Sequence, residues 1–326
     1  MKFRTDLRIS PFSFNIEHSK PVLLLGSCFS SNIGLKLKKY RFKTTINPHG
    51  IVFNPHSLSQ IICNAIDGEG INEQFIVDSG NEFKSLEYHS DLNGSSREEL
   101  IQKIAVANVK LSMSIKHAHT VFLTLGSSWV YEFKSLNRII SNCQKQPQTQ
   151  FNKKLLSVSE ISDSLNRIIE SIKKVNPNLN VVFTVSPIRH IKDGIIENQR
   201  SKSHLIAAVH NIVDQFECCN YFPSYELLID DLRDYRFYEK DLIHPNDQSI
   251  EYVWEQFERG FFNEQTSEIN RLIGKLNSAL AHRIIGNDKN ITQKFIVNSI
   301  KLCETLEQAL SVSLAVEKEH FLNLNK

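Results

Sequence analysis

No stretch of the chain reaches the about 18 consecutive apolar residues that a membrane-spanning helix needs, and no such span is expected. The first residues, MKFRTDLRISPFSF, interleave charge with apolar side chains. They lack the unbroken apolar core of a secretory signal. No CxxC pair occurs among the six cysteines at positions 28, 63, 143, 218, 219 and 303, and the adjacent Cys218 and Cys219 are poor partners for one bridge. Reduced thiols in a cytoplasmic setting are the expectation. A charge surplus is missing as well. The 38 basic and 36 acidic side chains leave a net +2, which argues against a nucleic-acid or anionic-membrane partner. No repeat or low-complexity tract is present. What remains is ordinary globular composition, 41% hydrophobic and 23% charged over 326 residues, enough for a large domain with a substantial core.

Three apolar runs have strand length, at 22–25, 121–125 and 181–185. Each is continuous rather than alternating, which suits a parallel sheet covered on both faces. Helical patterns lie between them. Ser95-x-x-Glu98 and Ser96-x-x-Glu99 are overlapping capping boxes ahead of Leu100, Ile101, Ile104, Ala105 and Val109. Ser157-x-x-Glu160 precedes Ile161, Leu165, Ile168, Ile169 and Ile172. Further helices are expected over about 201–217, with Leu205, Ala208, Val209, Ile212 and Phe216 on one face, and after Pro245, with Ile250, Val253, Trp254 and Phe257 inward. Alternating strands and helices predict a three-layer α/β/α fold around a mainly parallel sheet, over residues 1–262. Residues 263–326 read as a helical hairpin with a break at Gly286–Asn287–Asp288. It carries no evident chemistry.

In open α/β sheets ligands sit beyond the carboxyl ends of the strands. The residues at those ends are Gly26-Ser27-Cys28, Gly126-Ser127-Ser128-Trp129 and Ser186-Pro187-Ile188-Arg189-His190. Late in the domain, Asp241-Leu242-Ile243-His244-Pro245-Asn246 precedes a helix. A serine hydroxyl needs a base, and the base needs an orienting acceptor. Asp241 and His244 are spaced to let a carboxylate reach one imidazole nitrogen while the other points away. Ser27 also stands where a helix N-cap serine would, and Cys28 beside it is a second nucleophile at a helix start. Arg189 and His190 are expected to face the cleft and contact substrate. No metal site is expected. His117 and His119 precede a strand at the opposite end of the sheet, and Asp230, Asp231 and Asp234 are interleaved with Arg233 and Arg236. The cluster Lys36, Lys38, Lys39, Arg41 and Lys43 falls at the end of the first expected helix, where cations suit the helix dipole.

Ser27 after a first strand, with Asp-x-x-His before a late helix, resembles the SGNH (GDSL-like) hydrolases. The stretch GSCFS at 26–30 is more closely similar to the GSCFA family, which takes its name from that motif. NPHGIVFNP (47–55), LTLGSSWVYE (123–132), NCQKQP (142–147), TVSPIRHIKDG (184–194), YFPSYELLIDDLRDYRF (221–237) and DLIHPN (241–246) resemble the same family, in its order, over roughly residues 10–260.

The resemblance implies Ser27 as nucleophile, His244 as base and Asp241 as orienter. The Ser27 and Gly50 N–H groups would then serve as oxyanion donors. It departs at the third block, where Ser128 stands in place of the usual asparagine donor, and Asn54 is a possible substitute. The implied function is hydrolysis of a carboxylic ester, an O-acylated carbohydrate being one candidate, with no cofactor. An acyltransferase on the same residues, a catalytically inactive binding module and a Cys28 thiol enzyme are the competing readings. Oligomeric state is left open.

Overall fold

Each of the three apolar runs becomes a strand with both faces covered. The computed structural model describes residues 5–282 and 289–324. The elements in chain order are β1 (Val22–Gly26), α1 (Cys28–Lys39), β2 (Thr44–Ile46), α2 (Pro55–Asp67), β3 (Ile76–Asp78), β4 (Phe83–Ser85), α3 (Arg97–His117), β5 (Thr120–Leu125), β6 (Trp129–Phe133), β7 (Arg138–Ile140), β8 (Phe151–Leu155), α4 (Val158–Val175), β9 (Asn180–Val185), α5 (Ile195–Gln215), β10 (Cys219–Tyr221), the helical turn α6 (Ser224–Glu226), α7 (Asp247–Phe261), α8 (Glu264–Ala281), α9 (Lys289–Leu310) and α10 (Ala315–Asn323).

Successive strand residues point to opposite faces, and both directions are apolar here. Leu23 and Leu25 of β1 join one core with Val121, Leu123 and Leu125 of β5 and with Val181, Phe183 and Val185 of β9. Helices α2, α3, α4 and α5 cover that face. Val22, Leu24, Phe122 and Val182 point the other way, into a core closed by α1 and α7. Each fully buried aliphatic or aromatic side chain contributes roughly 1.5–3 kcal/mol, so neither layer of helices is dispensable. The result is the expected three-layer α/β/α fold.

The central sheet has five parallel strands in the order β10-β9-β5-β1-β2. The chain leaves β1 to add β2 on one side and returns to add β5 on the other. The crevice between the carboxyl ends of β1 and β5 is therefore the switch point at which such folds bind ligands.

The edge strands β2 and β10 were not legible as apolar runs. Each has three residues and carries polar ones, Thr44 and Thr45 in one and Asn220 in the other. Two antiparallel additions were also unforeseen. They are the β3–β4 hairpin and the sheet β7-β6-β8, which leaves the body directly after β5.

Helix starts follow the sequence closely. Ser157 and Glu160 form the full reciprocal capping box. At α3 only half the expected box forms. Ser96 Oγ accepts the Glu99 N–H, while the Glu99 carboxylate turns back to Ser95. The buried face of α3 runs through Leu100, Ile104, Ala107, Leu111 and Ile115, and Val109 is 65% exposed. The expected face, which included Ile101, Ala105 and Val109, was rotated by about one residue, or about 100°.

Among the described residues the tail holds the expected pair of packed helices, α8 and α9, with a third helix, α10, added. Ile273, Leu276, Ile296, Cys303 and Leu306 form its core, as the sequence pattern implied, but Leu314 and Phe321 of the added α10 complete it. The Asn277 side-chain amide donates to Lys39 O at 3.2 Å, and Arg41 pairs with Glu317 at 2.5 Å, joining the tail to the end of α1. The expected break at 286–288 lies outside the described residues.

Candidate active site

The turn from β1 into α1 is pinned from three sides. Gly26 has φ +120°, and a Cβ there would lie 2.1 Å from Thr124 O, so the close approach of β1 and β5 excludes a side chain. The Gly26 N–H donates to Asn47 Oδ1 at 2.9 Å, and the Ser27 N–H donates to Thr124 O at 3.1 Å. One turn on, Ser30 Oγ donates to Leu25 O at 2.8 Å and bonds Thr124 Oγ1 at 2.7 Å.

Ser27 occupies the N-cap position of α1 without a side-chain capping bond. Its Oγ is buried and has no hydrogen-bond partner. A buried unpaired hydroxyl is costly, about 1–3 kcal/mol, and such groups concentrate where chemistry uses them. The capping role that the sequence also allowed is therefore not what this hydroxyl does.

Ser27 and Cys28 border a cleft of about 430 Å³ at the switch point. Arg189 and His190 line it, as do Asn54 and, at the rim, His244. His244 sits on the loop before α7. Asp241 Oδ1 accepts the N–H groups of Ile243 at 2.9 Å and His244 at 3.0 Å, and Asp241 Oδ2 accepts from His244 Nδ1 at 2.7 Å. These bonds, the His244 N–H foremost, hold the Asp241 pKa down at about 2. The carboxylate thus fixes the imidazole through Nδ1 and leaves Nε2 for another partner. The two side chains are about half exposed, at 49% and 46%. Local sequence builds the turn, with Leu242 at φ +58° turning the chain so that one carboxylate reaches both backbone and ring.

On the inner side, His190 stacks on Phe53 with ring centroids 5.1 Å apart, and its backbone N–H donates to Asn198 Oδ1 at 2.9 Å. Burial, with the Lys202 charge adding, lowers its pKa to about 4, so the ring is neutral near pH 7. Lys202 was missed in the sequence. It is fully buried on α5, where Nζ donates to Gly126 O at 2.5 Å and to Ser186 O at 2.6 Å. It ties the ends of β5 and β9 together beneath the cleft. Desolvation pushes its pKa down to about 7, with Arg189 adding. One signal was available. Lys202 shares a helical face with Leu205, Val209 and Ile212, where a cation has no place unless it is bonded.

Three expected donors lie elsewhere or are engaged. Ser128 is fully buried and faces α5, with its N–H on Ser201 Oγ at 2.8 Å and its hydroxyl on Ser201 O at 3.0 Å. Its neighbours Ser127 and Trp129 border the cleft instead. The Gly50 N–H closes a turn onto Asn47 O at 2.9 Å, and Gly50 packs against His89. The Ser27 N–H is held by Thr124, as above. Asn54 caps α2 through Oδ1 to the Ser57 N–H at 2.8 Å, and its Nδ2 donates to Ser57 Oγ at 3.0 Å. That amide has a second N–H. The fold thus brings Ser27, Asn54, Arg189, His190 and the Asp241–His244 pair around one cleft, and it turns Ser128 and Gly50 away from it.

Asp230 and Asp234 form ion pairs with Arg233 and Arg236, at 3.2 Å and 2.9 Å. Among the described residues no cluster of metal-ligating side chains forms, and no helix is long and apolar enough to cross a membrane. No curated protein matches the chain. The GSCFA family model matches residues 21–257. That span runs from the residue before β1 into α7 and encloses the sheet and the cleft, while α8, α9 and α10 lie beyond it. The chain belongs to the GSCFA family.

Proposed function

We propose that this protein is an SGNH-like serine hydrolase of carboxylic esters, acting on an O-acylated carbohydrate. The observation that carries the reading is the Asp241–His244 pair, bonded at 2.7 Å, on the rim of the cleft that holds the unpartnered Ser27 hydroxyl. Ser27 Oγ attacks the ester carbonyl as His244 Nε2 accepts its proton. The bond to the alcohol oxygen then breaks, and His244 returns the proton to that oxygen. Water attacks the acyl-serine by the same route and releases the carboxylic acid. Asp241 keeps the imidazole oriented and stabilises its cation.

At the N-terminus of α1 the Ser30 N–H bonds Ser27 O at 2.9 Å, while the Cys28 and Phe29 N–H groups have no helical acceptors. These groups and the second N–H of Asn54 are the donors for the oxyanion. Losing one such donor costs about 10²–10³ in rate, so their supply sets the efficiency of the site. A sugar suits the walls, which combine Trp129 and Tyr131 with Asn54, Ser141 and Arg189.

The test is turnover of p-nitrophenyl acetate and of acetylated sugars by the wild type and Ser27→Ala. A loss of at least about 10³-fold is expected, with a fluorophosphonate adduct mapping to Ser27. Equal rates, or an adduct on Cys28, would overturn the assignment. Adding an acceptor alcohol separates hydrolysis from acyl transfer.

A further inference from the structure

Beside the cleft lies a second, much smaller hollow of about 30 Å³. Phe29 and Ile33 of α1 face Ile250 and Val253 of α7 across it, and Leu228 completes the apolar lining. Ser186 and Ile188 border both spaces. Phe29 is two residues past Ser27, and Pro245, which also lines the hollow, follows His244 directly. The hollow thus adjoins the cleft through Ser186 and Ile188, and its walls include near chain neighbours of Ser27 and His244.

Its lining is mostly hydrocarbon: the hydroxyls around it are already bonded, and Asn32 is the one amide among its lining residues. Ser224 Oγ donates to Val185 O at 2.9 Å, Ser249 Oγ donates to Asn246 O at 2.8 Å, and Ser186 Oγ accepts the Ile188 N–H at 3.3 Å. A polar sugar finds little to bond there, and a water molecule needs several polar partners. An apolar group would be favoured by the removal of its surface from water. The size sets the limit. A water-sized probe takes about 10–15 Å³ on this measure, so the hollow admits two or three heavy atoms.

We infer that this hollow is the acyl subsite and that it restricts the substrate to acetyl and propionyl esters, while the alcohol portion lies in the wide cleft. The inference rests on the serine-hydrolase reading. Ile250 and Leu228 would set the length limit, one from α7 and one from the turn after α6.

The experiment measures kcat/KM for p-nitrophenyl acetate, propionate, butyrate and hexanoate with the wild type, Ile250→Ala and Leu228→Ala. A methylene too many for a pocket costs about 10-fold or more. The wild type should therefore favour acetate over hexanoate by at least about 10-fold, and each variant should raise its hexanoate-to-acetate ratio by about 10-fold. The ratio within one variant cancels any loss of folded protein, and the half-buried Ile250 provides a second reading if Leu228→Ala folds poorly. A flat chain-length profile, or ratios that the variants do not move, overturns the acyl subsite while leaving Ser27 as nucleophile. No turnover of any ester, with Ser27 unlabelled by a fluorophosphonate, overturns the hydrolase reading and the subsite with it.

Discussion

Ser27 and His244 border one cleft, yet they are held in different ways. Ser27 is 5% exposed, at a junction where Gly26, Ser27 and Ser30 are each bonded to a neighbouring strand or loop. His244 is 49% exposed on a loop, and what orients it is a carboxylate three residues earlier. The nucleophile side depends on the whole sheet. The base side depends on one short turn. Damage to the first should be felt as lost stability, and damage to the second as lost rate.

The largest effect is expected on the exposed side. Asp241→Asn keeps an oxygen to accept the two backbone N–H groups, but it presents an amide to His244 and disfavours the required tautomer. Ester turnover should fall by about 10³-fold or more, while the melting temperature shifts by less than about 2 °C. A large drop in melting temperature would show that the loop is part of the fold's stability after all. On the buried side, Gly26→Ala drives a Cβ into Thr124 O at a positive φ. A destabilisation of about 3 kcal/mol or more is expected in urea unfolding. An unchanged midpoint would mean that β1 and β5 can part without cost.

The smallest effect separates the sides by pH. Burial lowers the pKa of His49, His56 and His190 to about 4, each from 6.5. Between pH 6.5 and 4.5 the unfolded chain therefore binds more protons at these sites, and stability falls as pH falls. Glu87, raised to about 7 by burial, opposes this with one proton. Three sites against one leave a net loss, seen as a falling melting temperature over that window. Asp241, held near 2, stays ionised throughout. A melting temperature that rises on acidification across this range would break the distinction.

Much of this was readable before any coordinates. The runs at 22–25, 121–125 and 181–185 are apolar apart from Thr124 and Thr184, because both strand faces are covered. The Ser157–Glu160 box and the Asp241–His244 turn are each complete within four residues of chain. The misreadings have two causes. Ile101, Ala105 and Val109 of α3 are apolar yet lie off the buried stripe, and only the packed neighbours show which stripe is covered. The edge strands β2 and β10 carry too little apolar surface to announce themselves.

The sequence by itself determined the layers, the strand ends and the Asp-x-x-His turn, because hydrophobic periodicity and short-range hydrogen bonds act between near neighbours in the chain. The tertiary structure alone decided which strand-end groups reach the cleft. Ser128 turns to Ser201, 73 residues away, Lys202 spans 76 residues to Gly126, and the Ser27 N–H meets Thr124 across the sheet. Each of these donors takes its partner from helix or strand packing, which no local pattern encodes. The Ser27 hydroxyl is left unbonded because the same packing supplies it with no partner.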